Sequence, residues 1–205
     1  MTGKKHVALF LASTLMICSA ATSAFATCAP LAKGWYVEGL GGSTNTFGKS
    51  YPQINSVKRT GFGWGLNAGY KFIPYFGLEV GYIHPASTLL RAPIGGTNAR
   101  DNHYAYDVAG KAMMPLGATG AEVFAKLGIS RVSSKIGSVD ANAAAQNHFT
   151  FNTTNQNSTG VFGGVGVGYS FMPPLQANLQ WERSNGNSST GSIDFYAFGI
   201  SYILW

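Results

Sequence analysis

Apolar and polar residues alternate with a period of two along most of the chain beyond residue 34. A period of two is the pattern of β-strands that bury one face and expose the other. The clearest example runs from Gly61 to Phe72, where aromatic and aliphatic residues hold every even position and glycine, asparagine or lysine every odd one. The alternation predicts eight strands, at 35–43, 61–72, 76–83, 103–114, 122–131, 161–171, 175–182 and 193–204.

The connections between these strands fall into two classes that alternate strictly. Three are short and contain proline, at 73–75, 114–116 and 172–174, and four are long and polar, at 44–60, 84–102, 132–159 and 183–192. Membrane-spanning barrels show this asymmetry, with short periplasmic turns and long extracellular loops. Because every backbone amide in lipid must be paired within the protein, the sheet has to close. The pattern predicts an all-β fold, an eight-stranded antiparallel up-and-down transmembrane β-barrel with both termini in the periplasm.

The composition supports strands with one apolar and one polar face. Charged residues make up 11% of the chain, glycine accounts for 27 of its 205 residues, and hydrophobic content is an ordinary 45%. Glycine suits the lumen face, because an eight-stranded barrel has room inside for few large side chains. Aromatic residues near strand ends are expected to form the girdles at the two membrane interfaces, and these are Trp35, Tyr36, Tyr70, Tyr75, Phe76, Trp181 and Tyr202.

The first 26 residues have the features of a secretory signal peptide. A basic segment at 4–6 precedes an apolar run at 7–17, and Ala24-Phe25-Ala26 fits an A-x-A cleavage site. We therefore predict a signal peptide at 1–26 and an outer-membrane barrel domain at 27–205. The alternative is an uncleaved membrane anchor, for which the apolar run is short. Cys18 would leave with the signal, and Cys28 would then either pair between chains or stay free.

The segment from Gly61 to His84, GFGWGLNAGYKFIPYFGLEVGYIH, resembles the second and third strands of the transmembrane domain of the outer membrane protein A (OmpA) family. At the level of the pattern, the resemblance extends over residues 34–204. It implies an inward glutamate at Glu79 and an inward lysine at Lys111. Gly168 and Asn178 stand where the family has an acid and an arginine. The peptidoglycan-binding domain of full-length members is not in this sequence, so the resemblance does not extend to cell-wall tethering.

The last predicted strand resembles the C-terminal signal by which assembly machinery recognises such barrels. Gly199, Tyr202 and Leu204 fit the spacing of a glycine, an aromatic residue and a final hydrophobic residue, and Trp205 extends one residue past the usual end. The resemblance implies that the barrel-assembly machinery is a partner of the chain.

Five charged residues are predicted to point into the lumen, namely Glu38, Glu79, Lys111, Lys126 and Glu182. Charges in a narrow interior need partners. We expect Glu79 to pair with Lys111 or Lys126, because neighbouring strands bring them within reach. The residues alone leave two interpretations open: a salt-bridge plug that holds the barrel together, and a path that conducts or gates ions.

The predicted loops carry basic residues, which are Lys49, Lys58, Arg59, Arg91, Arg100 and Lys135. They would face anionic lipopolysaccharide, and contacts from lysine and arginine to phosphate are the expected chemistry; scattered solvated charge is the alternative. The segment 140–159 is either an ordinary mobile loop or an adhesive or antigenic surface for host or phage ligands. The positive charge is too diffuse for a nucleic-acid site, and we expect no nucleic acid partner.

The sequence offers no catalytic, cofactor or metal motif. The segment Glu182-Arg183-Ser184-Asn185 is similar to the His-x-Ser-Asn arrangement of a lipid A deacylase, but Glu182 stands where the base is needed. A serine without a nearby base is a poor nucleophile. We therefore expect no enzyme and no cofactor, and predict an outer-membrane protein with a structural and surface-interaction role. The alternatives are a narrow, weakly conducting channel and, after it, a lipid A-modifying enzyme.

Overall fold

The computed structural model describes residues 33–49, 56–91, 98–137 and 155–204. Within these ranges the regular elements are ten strands. They are β1 (Gly34–Phe47), β2 (Ser56–Lys58), β3 (Thr60–Ile73), β4 (Phe76–His84), β5 (Thr88–Arg91), β6 (Asn98–Pro115), β7 (Ala121–Gly137), β8 (Asn155–Met172), β9 (Leu175–Ser184) and β10 (Ser192–Leu204). In the same ranges, no helix is long and apolar enough to cross a membrane.

The strands close into one antiparallel barrel. Around the circuit the order is β1, β3, β4, β6, β7, β8, β9 and β10, and β10 pairs again with β1. The short β2 and β5 continue β3 and β4 beyond breaks at Arg59 and at 85–87, since β2 pairs with β5 and β5 with the first residues of β6. The predicted eight-stranded antiparallel barrel is therefore confirmed.

The barrel is apolar outside and polar inside. On β3 the outward Phe62 is 75% exposed, and on β7 the outward Leu127 is 70% exposed. Lys126, which precedes Leu127 on β7, points into the lumen and is 3% exposed. Water-soluble domains place charged residues outside and large apolar residues inside. An apolar outer wall around a polar lumen is the arrangement of a barrel that sits in a membrane.

The two ends of the barrel differ. At one end, here called the turn end, tight connections at 74–75, 116–120 and 173–174 join neighbouring strands. The opposite end, where β1, β5, β7 and β9 finish, is here called the loop end. Two of the three short connections coincide with the predicted proline-containing turns. The turn predicted at 114–116 was placed too early, because β6 continues through Pro115 and the connection lies at 116–120.

At the loop end, the strands extend further than the pattern predicted. β6 begins at Asn98, β7 runs to Gly137 and β8 begins at Asn155, so the assignment of 98–102, 132–137 and 155–160 to loops was wrong. The end of β1 at 44–47, and the short β2 and β5 at 56–58 and 88–91, were likewise predicted as loops. The outward positions here are polar, as at Asn102 and Lys135. The hydrophobic alternation therefore stops while the backbone ladder continues. The rest of the third predicted loop, 138–154, lies outside the described residues.

Candidate functional site

One lysine lies in the middle of the lumen and contacts three carboxylates. The Nζ atom of Lys126 is 2.5 Å from Oε1 of Glu79, 2.8 Å from Oε1 of Glu182 and 3.7 Å from Oε2 of Glu38. A second cation, Lys111, places Nζ 3.5 Å from Oε2 of Glu79. All five side chains are buried. We call these five residues the central cluster, and it contains the five lumen charges singled out from the sequence.

The central cluster crosses the lumen in two directions. Around the circuit of eight strands, β7 lies opposite β1 and β4 lies opposite β9. Lys126 on β7 therefore reaches across to Glu38 on β1, and also joins Glu79 and Glu182 from the other two opposed strands. Buried charges of this kind are tolerated only while their partners stay in place. The contacts consequently link the barrel wall to itself across two diameters.

Uncharged donors complete the surroundings of Glu38. Nδ2 of Asn67 donates to Oε2 at 2.7 Å, while Nδ2 of Asn178 and Oγ of Ser201 donate to Oε1 at 2.6 and 2.9 Å. Gln180 adds a longer contact to Oε2 at 3.4 Å. Hydrogen bonds to an ionised acceptor are stronger than neutral ones. Sequence reasoning missed these donors: the alternation puts each of them on the lumen face, but says nothing about which charge they bind.

Two aromatic rings flank Lys111. Its Nζ lies 4.3 Å from the centroid of the Phe124 ring and 5.1 Å from that of Tyr36, within the range of a cation–π contact. The hydroxyl of Tyr36 donates to Oε2 of Glu79 at 2.6 Å. Its predicted place in the interfacial girdle is wrong, because the side chain is 2% exposed and points into the lumen. A Cβ atom at Gly69 would lie 2.5 Å from the Tyr36 hydroxyl, so the glycine makes room for this ring.

Further ionisable side chains occupy the lumen on either side of the central cluster. Toward the turn end, Nζ of Lys71 lies 3.6 Å from Oε2 of Glu122. Toward the loop end, Asp107 is 5% exposed and neither of its carboxylate oxygens has a hydrogen-bond partner among the described residues. The polar filling of the lumen therefore extends well beyond the five residues that the sequence singled out.

A hydrogen-bonded group lies at the loop-end mouth of the lumen. Nζ of Lys49 is 2.5 Å from both Oδ2 of Asp101 and Oγ of Ser134, and this serine donates to Oδ1 of Asp101 at 2.7 Å. The Nε2 atom of His103 lies 3.5 Å from Asp101. Lys49 follows β1, whereas the other three residues come from β6 and β7, so the contacts hold the chain after β1 against the far wall.

The six predicted lipopolysaccharide-binding cations have different positions. Lys49 is 8% exposed and paired with Asp101, so its predicted place on the outer surface is wrong. Arg59 donates from Nη2 to the carbonyl oxygen of Lys49 at 3.3 Å. Lys135 is exposed on β7. The side chains of Lys58, Arg91 and Arg100 lie outside the part of the chain that the structure describes.

Aromatic side chains surround the outer wall at both ends. At the turn end, Trp35 and Tyr75 are 61% and 62% exposed, and Trp35 packs edge-to-face on Tyr70 with centroids 5.1 Å apart. At the loop end, Tyr82 and Tyr106 have ring centroids 5.0 Å apart. Rings at these two levels match the girdles of membrane barrels. Sequence reasoning missed the loop-end tyrosines, although their outward positions in the alternation could have revealed them.

The segment that is similar to a lipid A deacylase does not face lipid. Ser184 is completely buried on the lumen side of β9, and Glu182 is bound to Lys126. The described residues include no group of three or more side chains suited to hold a metal ion.

The three residues of the predicted assembly signal lie on β10. Tyr202 and Leu204 point outward, whereas a Cβ atom at Gly199 would lie 2.5 Å from Oδ1 of Asn178.

Comparisons with known proteins agree with this fold. The sequence matches the outer membrane protein beta-barrel domain family over residues 10–203, and no curated protein matches it. The structure of the outer membrane protein OprG from Pseudomonas aeruginosa is similar with a TM-score of 0.57 and 16% identity, over 86% of this chain and 100% of that one. Neisserial surface protein A is similar with a TM-score of 0.57 and 14% identity, over 83% of this chain and 97% of that one.

A third similar structure is Ail, the attachment invasion locus protein of Yersinia pestis, in complex with the heparin analogue sucrose octasulfate. It has a TM-score of 0.52 and 13% identity, over 84% of this chain and 100% of that one. At such low identities these three likenesses concern the fold, and the roles of individual side chains have to come from the chain itself.

Proposed function

The chain belongs to the outer membrane protein beta-barrel domain family of the bacterial outer membrane, and we propose that it is a structural barrel that reinforces this membrane and presents its loop end as an interaction surface. The position of Lys126 carries the proposal. Its contacts with Glu38, Glu79 and Glu182 link opposite walls through the lumen. Such contacts stiffen a barrel and occupy the space that a solute would need.

The proposed topology in the membrane follows from the two kinds of connection. Residues 1–26 act as a signal peptide that is removed on export, and 27–205 form the barrel domain. The turn end and both termini face the periplasm, and the loop end faces outward. Short periplasmic turns and longer extracellular loops are the usual arrangement in such barrels, and an even number of strands brings the two termini to the same side.

The proposed partners are of three kinds. Lipopolysaccharide surrounds the loop end, and host or phage ligands meet the connections that leave it. The barrel-assembly machinery recognises β10 through Gly199, Tyr202 and Leu204. Ail, which shares the fold, has been solved with a sulfated sugar. The exposed Lys135 offers chemistry of the kind that binds such anions.

Two other functions are less well supported. A narrow, weakly conducting channel would need a path past the central cluster, in which the contacts of Lys126 already cross the lumen. A lipid A-modifying enzyme would need a nucleophile on the lipid face, whereas Ser184 is buried on the lumen side. We therefore propose that the chain is not an enzyme and needs no cofactor.

A strain that lacks the gene tests the structural role. We expect the deletion to raise sensitivity to SDS and vancomycin, which an intact outer membrane excludes, and the wild-type chain to restore resistance. The variant Lys33→Gln, which changes an exposed residue at the turn end, should restore resistance equally well. Unchanged sensitivity of the deletion strain would contradict the structural role, and slower uptake of small ions by that strain would favour the channel.

A further inference from the structure

Two cations stand on the outer wall of β7, directly beyond its apolar part. Arg131 and Lys135 are exposed and share the outward face with Leu127 and Ile129. At about 3.3 Å per strand residue, Arg131 lies about 7 Å beyond Ile129 along the strand, and Lys135 about 13 Å beyond Arg131. Both cations therefore lie where the apolar wall gives way to the polar headgroup region of a membrane.

The strand register gives these cations no acidic neighbour. Arg131 is paired with Tyr106 on β6 and Thr159 on β8, and Lys135 with Asn102 and Asn155. All four of these neighbours are uncharged. An opposite charge directly across a strand would compensate each cation, so these two exposed cations, four residues apart on one strand, make this side of the barrel positively charged.

The other side of the barrel shows the contrast. Arg183 on β9 also lies at the loop end, but Nε and Nη2 donate to the two carboxylate oxygens of Asp194 at 2.7 and 2.8 Å. Its guanidinium also lies over the rings of Phe47 and Trp181, with 4.9 and 5.4 Å to the two centroids. The bidentate pair neutralises that cation within the protein. Among the side chains that the structure describes on the outer wall at the loop end, Arg131 and Lys135 therefore differ from Arg183 in having no acidic residue paired with them.

Polar and aromatic groups surround the two cations. Asn157 is exposed on β8, and its Oδ1 accepts a hydrogen bond of 2.5 Å from Oγ of the buried Ser133. Tyr104 packs edge-to-face on Tyr106, with centroids 5.9 Å apart. A recess of about 270 Å³ is lined in part by Arg131, Tyr106 and Thr159, and its lining includes Asp107, which is 5% exposed. Amide, hydroxyl and aromatic groups beside an exposed cation are suited to a sugar that carries phosphate.

An apolar groove begins at the same tyrosine and continues down the membrane-facing wall. It has a volume of about 670 Å³, and Tyr106 and Val108 line both the groove and the recess beside Arg131. Gly39 and Ala68 form part of its floor. A Cβ atom at Gly39 would have no atom within 4 Å, so the absence of a side chain leaves this part of the floor open. A groove in a wall that faces lipid has the chemistry to hold an acyl chain.

We propose that this surface is a binding site for a phosphorylated glycolipid of the outer leaflet. Phosphate binds Arg131 and Lys135, the sugar lies against Asn157 and the loop-end tyrosines, and an acyl chain enters the groove over Gly39. The site deepens the proposed function, since it rests on the orientation in which the loop end faces outward. It shares Lys135 with the loop contacts expected from the sequence, but it lies on the wall of the barrel and adds Arg131 and the groove.

Binding of purified lipid A to the full protein in detergent tests the site. The protein is purified from outer membranes, stripped of lipid and titrated with bisphosphorylated lipid A, while native mass spectrometry counts the bound molecules. We expect Arg131→Gln with Lys135→Gln to weaken binding about 25-fold, or about fivefold for each charge. The matched control Lys33→Gln removes the same charge at the turn end and should leave binding unchanged. Lipid A without phosphates should bind the wild-type protein as weakly as bisphosphorylated lipid A binds the double variant.

A second pair of variants tests the groove. Gly39→Leu adds a side chain to the floor at a position where its Cβ atom would meet no other atom within 4 Å, and is expected to weaken lipid A binding at least fivefold. The control Gly163→Leu places the same side chain at another open position, on β8, where the nearest atom to an added Cβ would be 3.8 Å away. It should have no effect. Heat-dependent mobility on a semi-native gel confirms that each variant is folded before binding is compared.

Several results would overturn the site. The charged part of the site is refuted if the double variant binds lipid A as well as the wild type does, or if the Lys33→Gln control loses as much lipid A binding as the double variant. Equal affinity of the wild type for phosphatidylglycerol and for lipid A would refute its selectivity for a glycolipid. Equal losses of lipid A binding in Gly39→Leu and Gly163→Leu would refute the groove. Competition by inorganic phosphate alone at the same affinity would reduce the site to a phosphate site without a lipid. The detergent sensitivity of the deletion strain is measured independently of lipid A binding. If the wild-type chain restores resistance to that strain but does not bind lipid A in detergent, this site is refuted and the structural role is left intact.

Discussion

Replacing Lys126 with methionine removes one ammonium group and keeps a side chain of nearly the same length. The variant leaves Glu38, Glu79 and Glu182 buried without the cation that contacts all three. Glu79 keeps Lys111 at 3.5 Å, and Glu38 keeps its uncharged donors. Glu182 is affected most, because Lys126 supplies both its ion pair and its side-chain hydrogen bond among the described residues.

The expected loss follows from the cost of leaving a buried charge unpaired. Removing one partner of a buried ion pair typically costs about 3–5 kcal/mol. We expect Lys126→Met to lower the free energy of unfolding by about 4 kcal/mol on this scale, since Glu182 loses its cation completely and the other two carboxylates keep part of their surroundings. Adding Glu182→Gln to the variant removes the stranded charge and should recover part of the loss.

Urea titration of the protein folded in phospholipid vesicles measures this loss. Tryptophan fluorescence follows the transition, and an unchanged slope with urea shows that the same surface is exposed in each variant. Lys33→Met, at the exposed turn end, serves as the matched control and should leave the midpoint unchanged. A loss below about 1 kcal/mol for Lys126→Met, in the range of surface ion pairs, would refute the reasoning, as would a double variant that is less stable than the single one.

Three further substitutions test other parts of the account by the same titration. Leu127→Arg puts a charge on the lipid-facing wall and should cost about 2–4 kcal/mol; no loss would contradict the assignment of the outer face. Gly69→Ala brings a methyl group against Tyr36 and should cost about 1–3 kcal/mol by overpacking; a neutral result would mean that the ring is placed elsewhere. Asn178→Leu removes one donor from Glu38 and should cost about 2 kcal/mol; a more stable variant would show that the amide is not bound to this carboxylate.

The wall of the barrel was predictable because its two faces meet different solvents. Lipid outside and a polar lumen inside impose an alternation, which is visible from Gly61 to Phe72 without any knowledge of the fold. The proline-containing turns set the strand ends at one side. At the loop end, the strands rise above the apolar layer and the outward side chain becomes polar, as at Lys135. There the period-two signal disappears although the hydrogen-bonded ladder continues.

The contacts inside the lumen were predictable only in part. The alternation identifies Glu79, Lys111 and Lys126 as inward residues on neighbouring or nearby strands. Eight strands in chain order place the first opposite the fifth, but the alternation does not give the register between strands, so it does not show that Lys126 and Glu38 lie at the same level of the lumen. The neutral amide of Asn178 carries no charge that would point to its partner.

Lys49 shows a different limit of the sequence. It lies in a polar connection, where a lysine is normally solvated, and the pattern gave no reason to place it elsewhere. Its burial depends on Asp101 and Ser134, which are 52 and 85 residues away along the chain. Both partners are brought to the mouth of the lumen by strands that extend beyond the apolar layer, and those extensions were the part of the fold that the alternation missed.

The central claim is that side-chain contacts across the lumen block the passage of ions. Single-channel recording in planar bilayers tests this claim most directly. The protein is first shown to be folded by its heat-dependent mobility, and is then inserted in concentrated KCl. The account predicts no discrete conductance steps for the wild type, and steps for a variant in which Glu79→Ala and Lys126→Ala shorten both side chains. Reproducible steps from the folded wild-type protein, unchanged in the double variant, would contradict it.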